Sequence, residues 1–215
     1  MMRVGLQGLR GGVGTTSIVA GLAYAAWQQG ARVLVVELNR EGQLGLHFGL
    51  PYDTPGGWSV LRHPEQEWRQ ALHHCQDGLD LLLHGGEEGA YPWLEQLDGY
   101  DLLLLDLPRS QRIPHLDRYL TVVNADANCH VRLYQHEFVP NEQVLVTQFT
   151  SRRALQQDLL ELWLDGGVPL LSIRLHRDEA MAESLAAKQP VGQYQPESLI
   201  ASELVALAHW CLESI

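Results

Sequence analysis

A doubly wound α/β architecture, a mostly parallel sheet flanked by helices, is the fold class this sequence predicts. Three observations predict it. Short apolar runs recur along the chain and are nearly continuous rather than alternating, as in strands covered by helices on both faces. Helical stretches separate most of these runs, which is the alternation of an open α/β sheet. A glycine-rich turn, Gly8-Leu9-Arg10-Gly11-Gly12-Val13-Gly14-Thr15-Thr16-Ser17, joins the first run to the first helix. In such folds ligands sit beyond the C-terminal ends of the strands.

The first strand is read over Arg3–Leu6 and the first helix over Ile18–Gln29. Further strands are expected at Val33–Glu37, Leu79–Leu83, Leu102–Asp106, Leu120–Val123, Val144–Thr147 and Leu170–Leu175. Helices are expected at Glu65–Cys75, Tyr91–Leu97, Asn128–Glu137, Arg153–Leu164, Glu179–Lys188 and Pro196–Glu213. The last of these places Leu199, Leu204, Leu207, Trp210 and Cys211 near one face and carries no Lys or Arg. Helices that lie on lipid usually present basic residues on the polar face, so a docked core helix is expected rather than a membrane anchor. Gly49–Pro64, with Pro51, Pro55, Gly56, Gly57 and Pro64, reads as a surface loop. No repeat or linker interrupts the alternation, and 215 residues suit one domain over 1–215.

Composition narrows the function classes. The net charge of −11 opposes sequence-independent binding to nucleic acid or anionic lipid. Three widely spaced cysteines, Cys75, Cys129 and Cys211, give neither a disulfide framework nor a C-x-x-C site, so a reducing cytosol is the expected compartment. No apolar run approaches the length of a membrane span, and the first strand leaves no room for a leader. A cytoplasmic protein with no direct membrane insertion is expected.

Strand, glycine loop and helix form the setting in which backbone amides and a helix N-terminus converge on phosphate oxygens. Gly14 and Thr16 fit the end of the P-loop spacing G-x-x-x-x-G-K-[ST], with Gly8 one residue ahead of its first glycine position, which Leu9 occupies. Thr15 stands where the lysine belongs, and the only lysine of the chain is the distant Lys188. Arg10 is the one cation inside the loop. Asp106 ends a strand of four leucines, where a carboxylate beside a P-loop can hold Mg²⁺ while Thr16 adds a hydroxyl ligand.

Arg10-Gly-Gly-Val-Gly-Thr-Thr resembles the deviant Walker motif of the MinD/ParA/Mrp ATPases, K-G-G-x-G-K-[ST]. The resemblance implies a P-loop NTPase fold, ATP and Mg²⁺ as cofactors, and a homodimer with nucleotide between the protomers. Arg10 then takes the role of the lysine that crosses to the partner. Residues Gly11, Gly12, Val13, Gly14, Thr15, Thr16 and Ser17 would cradle phosphate. Where relatives show D-x-D-x-x-G after the second strand, this chain has Glu37 and Asn39. The second Asp of that motif positions the attacking water. Asn39 can hydrogen-bond a water but cannot act as a base, and Glu41 is the nearby carboxylate able to substitute. Asp106-Leu107-Pro108 matches the family's D-x-P, which supports Asp106 as the Mg²⁺ residue, while Arg109 faces phosphate, a dimer partner or solvent. Asn124 lies in a turn placed near the nucleotide in relatives, and Arg177 in a segment near the base. Thr147-Gln148 departs from the relatives' Asn-Arg, so base selectivity does not carry over.

The lysine-free loop, Asp106–Arg109, Asp126–Leu133 and His176–Gly192 together resemble the cellulose-biosynthesis branch of that family, the BcsQ proteins. This likeness implies an ATP-bound dimer that joins BcsR, contacts BcsE and the BcsA–BcsB cellulose synthase, and is recruited to the inner membrane through that complex. Thr15 and Asn39 together point to slow or absent hydrolysis. The alternatives are a cycling partition or positioning ATPase and a nucleotide-free scaffold. Adjacent His73-His74-Cys75, on an expected helix, do not form a facing metal pair.

Overall fold

The computed structural model describes residues 1–40, 42–109 and 111–213. Its centre is an eight-stranded sheet in the order β3-β4-β2-β5-β1-β6-β7-β8. The strands are β1 (Met2–Gly8), β2 (Val33–Glu37), β3 (Leu72–Gln76), β4 (Leu79–Leu82), β5 (Leu102–Leu107), β6 (Arg118–Asn124), β7 (Glu142–Phe149) and β8 (Leu170–His176). Every neighbouring pair is parallel except β3 and β4, which form an antiparallel hairpin at one edge. The central strands are buried from end to end, which is why they read as unbroken apolar runs.

One expected helix is corrected. Of Glu65–Cys75, only α2 (Pro64–Glu67) is α-helical; a 3₁₀ turn over Trp68–Ala71 follows, and then β3. The histidines His73 and His74 therefore sit on an edge strand, where His74 Nδ1 meets Asp80 Oδ1 at 2.5 Å. The reason is a hairpin: β3 and β4 are joined through Asp77-Gly78, a dipeptide that favours tight strand reversal. Local hairpin pairing overrode the weak helical period. Tyr91–Leu97 is likewise a 3₁₀ segment over Pro92–Gln96 rather than an α-helix, its Trp93 and Leu94 buried against the sheet.

The regular helices are α1 (Thr15–Gln28), α3 (Ala127–Tyr134), α4 (Ala154–Asp165), α5 (Glu179–Ala186), the short α6 (Val191–Tyr194) and α7 (Leu199–Leu212). Helix α1 buries Val19, Leu22, Ala23 and Ala26, in one apolar cluster with Val4, Leu6, Val33, Val35, Leu102 and Leu104 of the sheet. Helix α7 docks in the same cluster through Ile200, Leu204, Leu207 and Cys211, a stripe at helical spacing. Leu199, placed on the buried face by sequence, is 53% exposed instead. It opens the helix immediately after the Ser198 cap, whose side chain accepts from Ala201 N, a quarter turn or more from the stripe.

The opposite faces of β2, β4 and β5 build a second cluster, with Leu34, Val36, Leu82, Leu103 and Leu105 beneath Trp58, Trp68 and Trp93. Here the cover is short 3₁₀ segments instead of long helices. Gly49–Pro64 is consequently more than a surface loop. Its Trp58 is 1% exposed and donates through Nε1 to the Glu37 carbonyl at 2.8 Å. A tryptophan buries enough apolar area to pin an irregular segment that has no helix of its own. No helix among the described residues is long and apolar enough to cross a membrane.

Candidate functional site

The glycine loop leaves β1 and enters α1 through Gly14, whose φ of 88° is the left-handed conformation that favours glycine. Gly14 offers no side-chain cap, and the first intrahelical bond runs from Ile18 N to Gly14 O. The amides of Thr15, Thr16 and Ser17 thus lack an acceptor within the helix and open onto the loop. Together with the helix dipole they favour an anion there.

Thr16 and Asp106 meet directly: Thr16 Oγ1 donates to Asp106 Oδ2 at 2.8 Å. Asp106 is 1% exposed, and in the sheet register it lies between Leu6 of β1 and Glu37 of β2. Burial pushes its carboxyl up to about 7, Glu37 adds repulsion, and the Thr16 hydroxyl opposes the rise. A buried carboxylate so disfavoured calls for positive charge. Two hard oxygen ligands side by side suit a divalent cation that completes its shell with phosphate and water. Among the described residues no group of three or more His, Cys, Asp or Glu converges on a metal-sized site, so the chain offers only part of such a shell.

The cleft around this pair has a volume of about 200 Å³ and is lined by Gly8, Arg10 to Ser17, Asn39, Gln43, Asp106, Leu107 and Arg109. Asn39 is therefore beside the loop, as the sequence spacing requires. Glu41, the substitute carboxylate, lies outside the described residues. Glu37 is no part of the lining. Its carboxylate accepts from Leu44 N at 2.8 Å and His84 N at 3.2 Å, so it ties the segments after β2 and β4 together.

Arg10 does not extend away from its own chain. Its Nη2 bonds Asp126 Oδ2 at 2.5 Å and its Nη1 donates to Gly11 O at 2.8 Å. Asp126 also caps α3, accepting from Cys129 N at 2.8 Å. The Asp126 bond raises the Arg10 guanidinium above its ordinary value. Against a burial cost, the Cys129 amide and Arg10 hold Asp126 below its own. Thr15 carries only a hydroxyl, which lies 2.7 Å from where a Cβ on Gly8 would stand.

Asn124 and Arg177 are not in the cleft lining. Asn124 ends β6, and its Oδ1 is buried with no protein partner. Arg177 follows β8, exposed, with Nη2 at 3.3 Å from Glu179. Two contacts of the loop, and a pair of bonds made by Gln7 just before it, have no local sequence signal. Ser17 Oγ meets His47 Nε2 at 3.3 Å, and burial lowers His47 to about 4, leaving it neutral. Gln148, with φ 53°, donates to Gly12 O at 3.3 Å. Gln7 Nε2 donates to the carbonyls of Pro108 at 2.5 Å and Gln111 at 2.8 Å.

The profile of the family described as "Cellulose biosynthesis protein BcsQ" matches residues 1–212. The cellulose biosynthesis protein BcsQ of Escherichia coli (strain K12) is 40% identical over 99% of this chain and 94% of its own. The chain belongs to the BcsQ family. That membership ties it to cellulose biosynthesis. Among solved structures, the MinC:MinD cell division protein complex of Aquifex aeolicus superposes with a TM-score of 0.78 at 16% identity, over 100% of this chain and 97% of that one. The septum site-determining protein MinD of Pyrococcus horikoshii, complexed with Mg-ADP, superposes with 0.71 at 19% identity, over 97% and 95%. The chain thus has the fold of the ParA/MinD ATPases, as its sequence predicts.

Proposed function

We propose that this BcsQ-family chain binds Mg·ATP at the glycine loop, pairs with a second copy, and uses the closed dimer as an assembly surface in cellulose secretion. BcsR, BcsE and the BcsA–BcsB synthase are the partners the family resemblance implies. The observation that carries the reading is the junction of Thr16 with the buried Asp106 at the mouth of the glycine loop. The Mg-ADP held by the MinD relative of the same fold supports it.

When bound, Mg²⁺ supplies positive charge to phosphate oxygens and to Asp106. The chain's residues do the rest. Backbone amides from Gly11 to Ser17 hold the phosphates, and Thr16 and Asp106 fix the cation. Asn39 orients a water without taking its proton, because an amide has no basic site at neutral pH. Hydrolysis is slow or absent on this account, and occupancy rather than turnover sets the state of the dimer. Losing one charge-assisted contact at Thr15 costs roughly 1.5–3 kcal/mol, about ten- to a hundredfold in affinity, which the other contacts tolerate. Nucleotide analysis of purified protein, with its mass in solution with and without Mg·ATP, tests this. Protein that holds no nucleotide and stays monomeric with Mg·ATP contradicts it.

A further inference from the structure

The cleft needs cationic charge and the two obvious sources are missing. Thr15 replaces the loop lysine, and Lys188 follows α5, away from the cleft lining. Arg10 already shares its guanidinium with the Asp126 carboxylate. Arg109, three residues beyond Asp106, also lines the cleft and, like Arg10, interacts within the chain. Its Nη1 lies 3.2 Å and its Cζ 3.7 Å from where a Cβ on Gly11 would be. Gly11 is not among the glycines with positive φ, so its backbone does not demand glycine. A Cβ there would press on the guanidinium by a few tenths of an ångström, so Arg109 is in close contact with the loop at Gly11.

The backbone that carries Arg109 is fixed from below. Gln7 sits at the end of β1, 7% exposed, and its amide bonds the carbonyls on either side of Arg109, those of Pro108 and Gln111. Its oxygen accepts from Tyr119 Oη at 2.7 Å. Arg109 and Asn39 also line a second, wider cleft of about 820 Å³, together with Arg40, Glu87 and Glu88. A planar guanidinium presents a fork of donors suited to phosphate oxygens.

We propose that Arg109 is a phosphate-binding residue that supplies, within the same chain, the positive charge that Thr15 leaves out. The proposal rests on the nucleotide-binding reading above. Calorimetric titration of Mg·ATP into the wild-type chain, Arg109→Ala, Arg109→Lys and the double variant Arg109→Ala/Thr15→Lys tests it. Arg109→Ala should weaken binding about ten- to a hundredfold, the range for a lost charge-assisted bond. Arg109→Lys should retain part of the affinity, keeping the charge but not the fork. Restoring lysine in the loop through Thr15→Lys should recover part of what Arg109→Ala loses. Wild-type affinity in Arg109→Ala overturns the assignment while leaving the nucleotide reading intact. A loss that Thr15→Lys does not mend overturns the substitution for lysine. No binding by the wild-type chain overturns both.

Discussion

Thr16 and Asp106 lie 90 residues apart in sequence and share a hydrogen bond of 2.8 Å at the mouth of the glycine loop. The bond links the helix that begins the loop's exit to the strand beside it, and it holds a hydroxyl and a carboxylate where one cation can reach both. Asp106→Asn keeps the volume and a hydrogen-bond acceptor but removes the charge. We expect this variant to bind ATP with little dependence on Mg²⁺, and to bind Mg·ATP at least tenfold more weakly than wild type. Titrations with and without Mg²⁺ check it; an unchanged Mg²⁺ dependence removes Asp106 from the cation site.

Arg10 presents a choice between two partners. In the single chain it pairs with Asp126, both side chains partly exposed at 26% and 35%, so the pair adds only about 0.2–1 kcal/mol to folding. Arg10→Ala should therefore change unfolding free energy by about 1 kcal/mol or less, while weakening the Mg·ATP-dependent dimer severalfold or more. Asp126→Asn retains an N-cap side chain and releases Arg10, so its dimer should form at lower protein concentration. Sedimentation in Mg·ATP measures both. Dimers of equal strength in all three chains would remove the crossing role of Arg10.

His47 makes stability fall in acid. Burial lowers its pKa from 6.5 to about 4, so the folded state holds the ring neutral where the unfolded chain protonates it. Its contribution is complete above pH 6.5 and is lost as the pH falls from 6.5 towards 4. The full loss is on the order of 3 kcal/mol. Asp106, raised to about 7 by burial, adds stability over the same fall in pH. The His47 effect is therefore read as the difference between chains: in urea unfolding the wild type should lose more stability, or gain less, than His47→Leu on going from pH 7 to pH 5. A change of the same size in the variant would assign the effect to other groups.

Trp58 secures the irregular cover of the second core. With its ring 1% exposed and its Nε1 bonded to Glu37 O, Trp58→Ala should destabilise the chain by about 3–5 kcal/mol. A loss below 1 kcal/mol in denaturant unfolding would mean the segment holds without it.

The parts of the molecule legible in its sequence are those with local causes. Continuous apolar runs announced the buried central strands, and the glycines between Gly8 and Ser17 announced the loop. Asp106 was placed correctly beside Thr16 because both lie at the ends of strongly patterned elements. The edge strand β3 was missed because His73, His74 and Gln76 show no strand pattern, although Asp77-Gly78 carried a turn signal that outweighs the helical period. Long-range relationships had no trace at all. Nothing near Arg10 points to Asp126, nothing near Ser17 to His47, and nothing near Gly49–Pro64 shows that Trp58 is buried. Each depends on the sheet order, which brings distant segments together.

The central claim is that the loop holds a nucleotide despite Thr15, and the most direct measurement is the nucleotide content of the purified chain together with its affinity for Mg·ATP. We predict bound or readily bound ATP, with a shift from monomer to dimer when Mg·ATP is added and little phosphate released. A chain that carries no nucleotide, gives no heat on titration with Mg·ATP and remains monomeric would contradict the account.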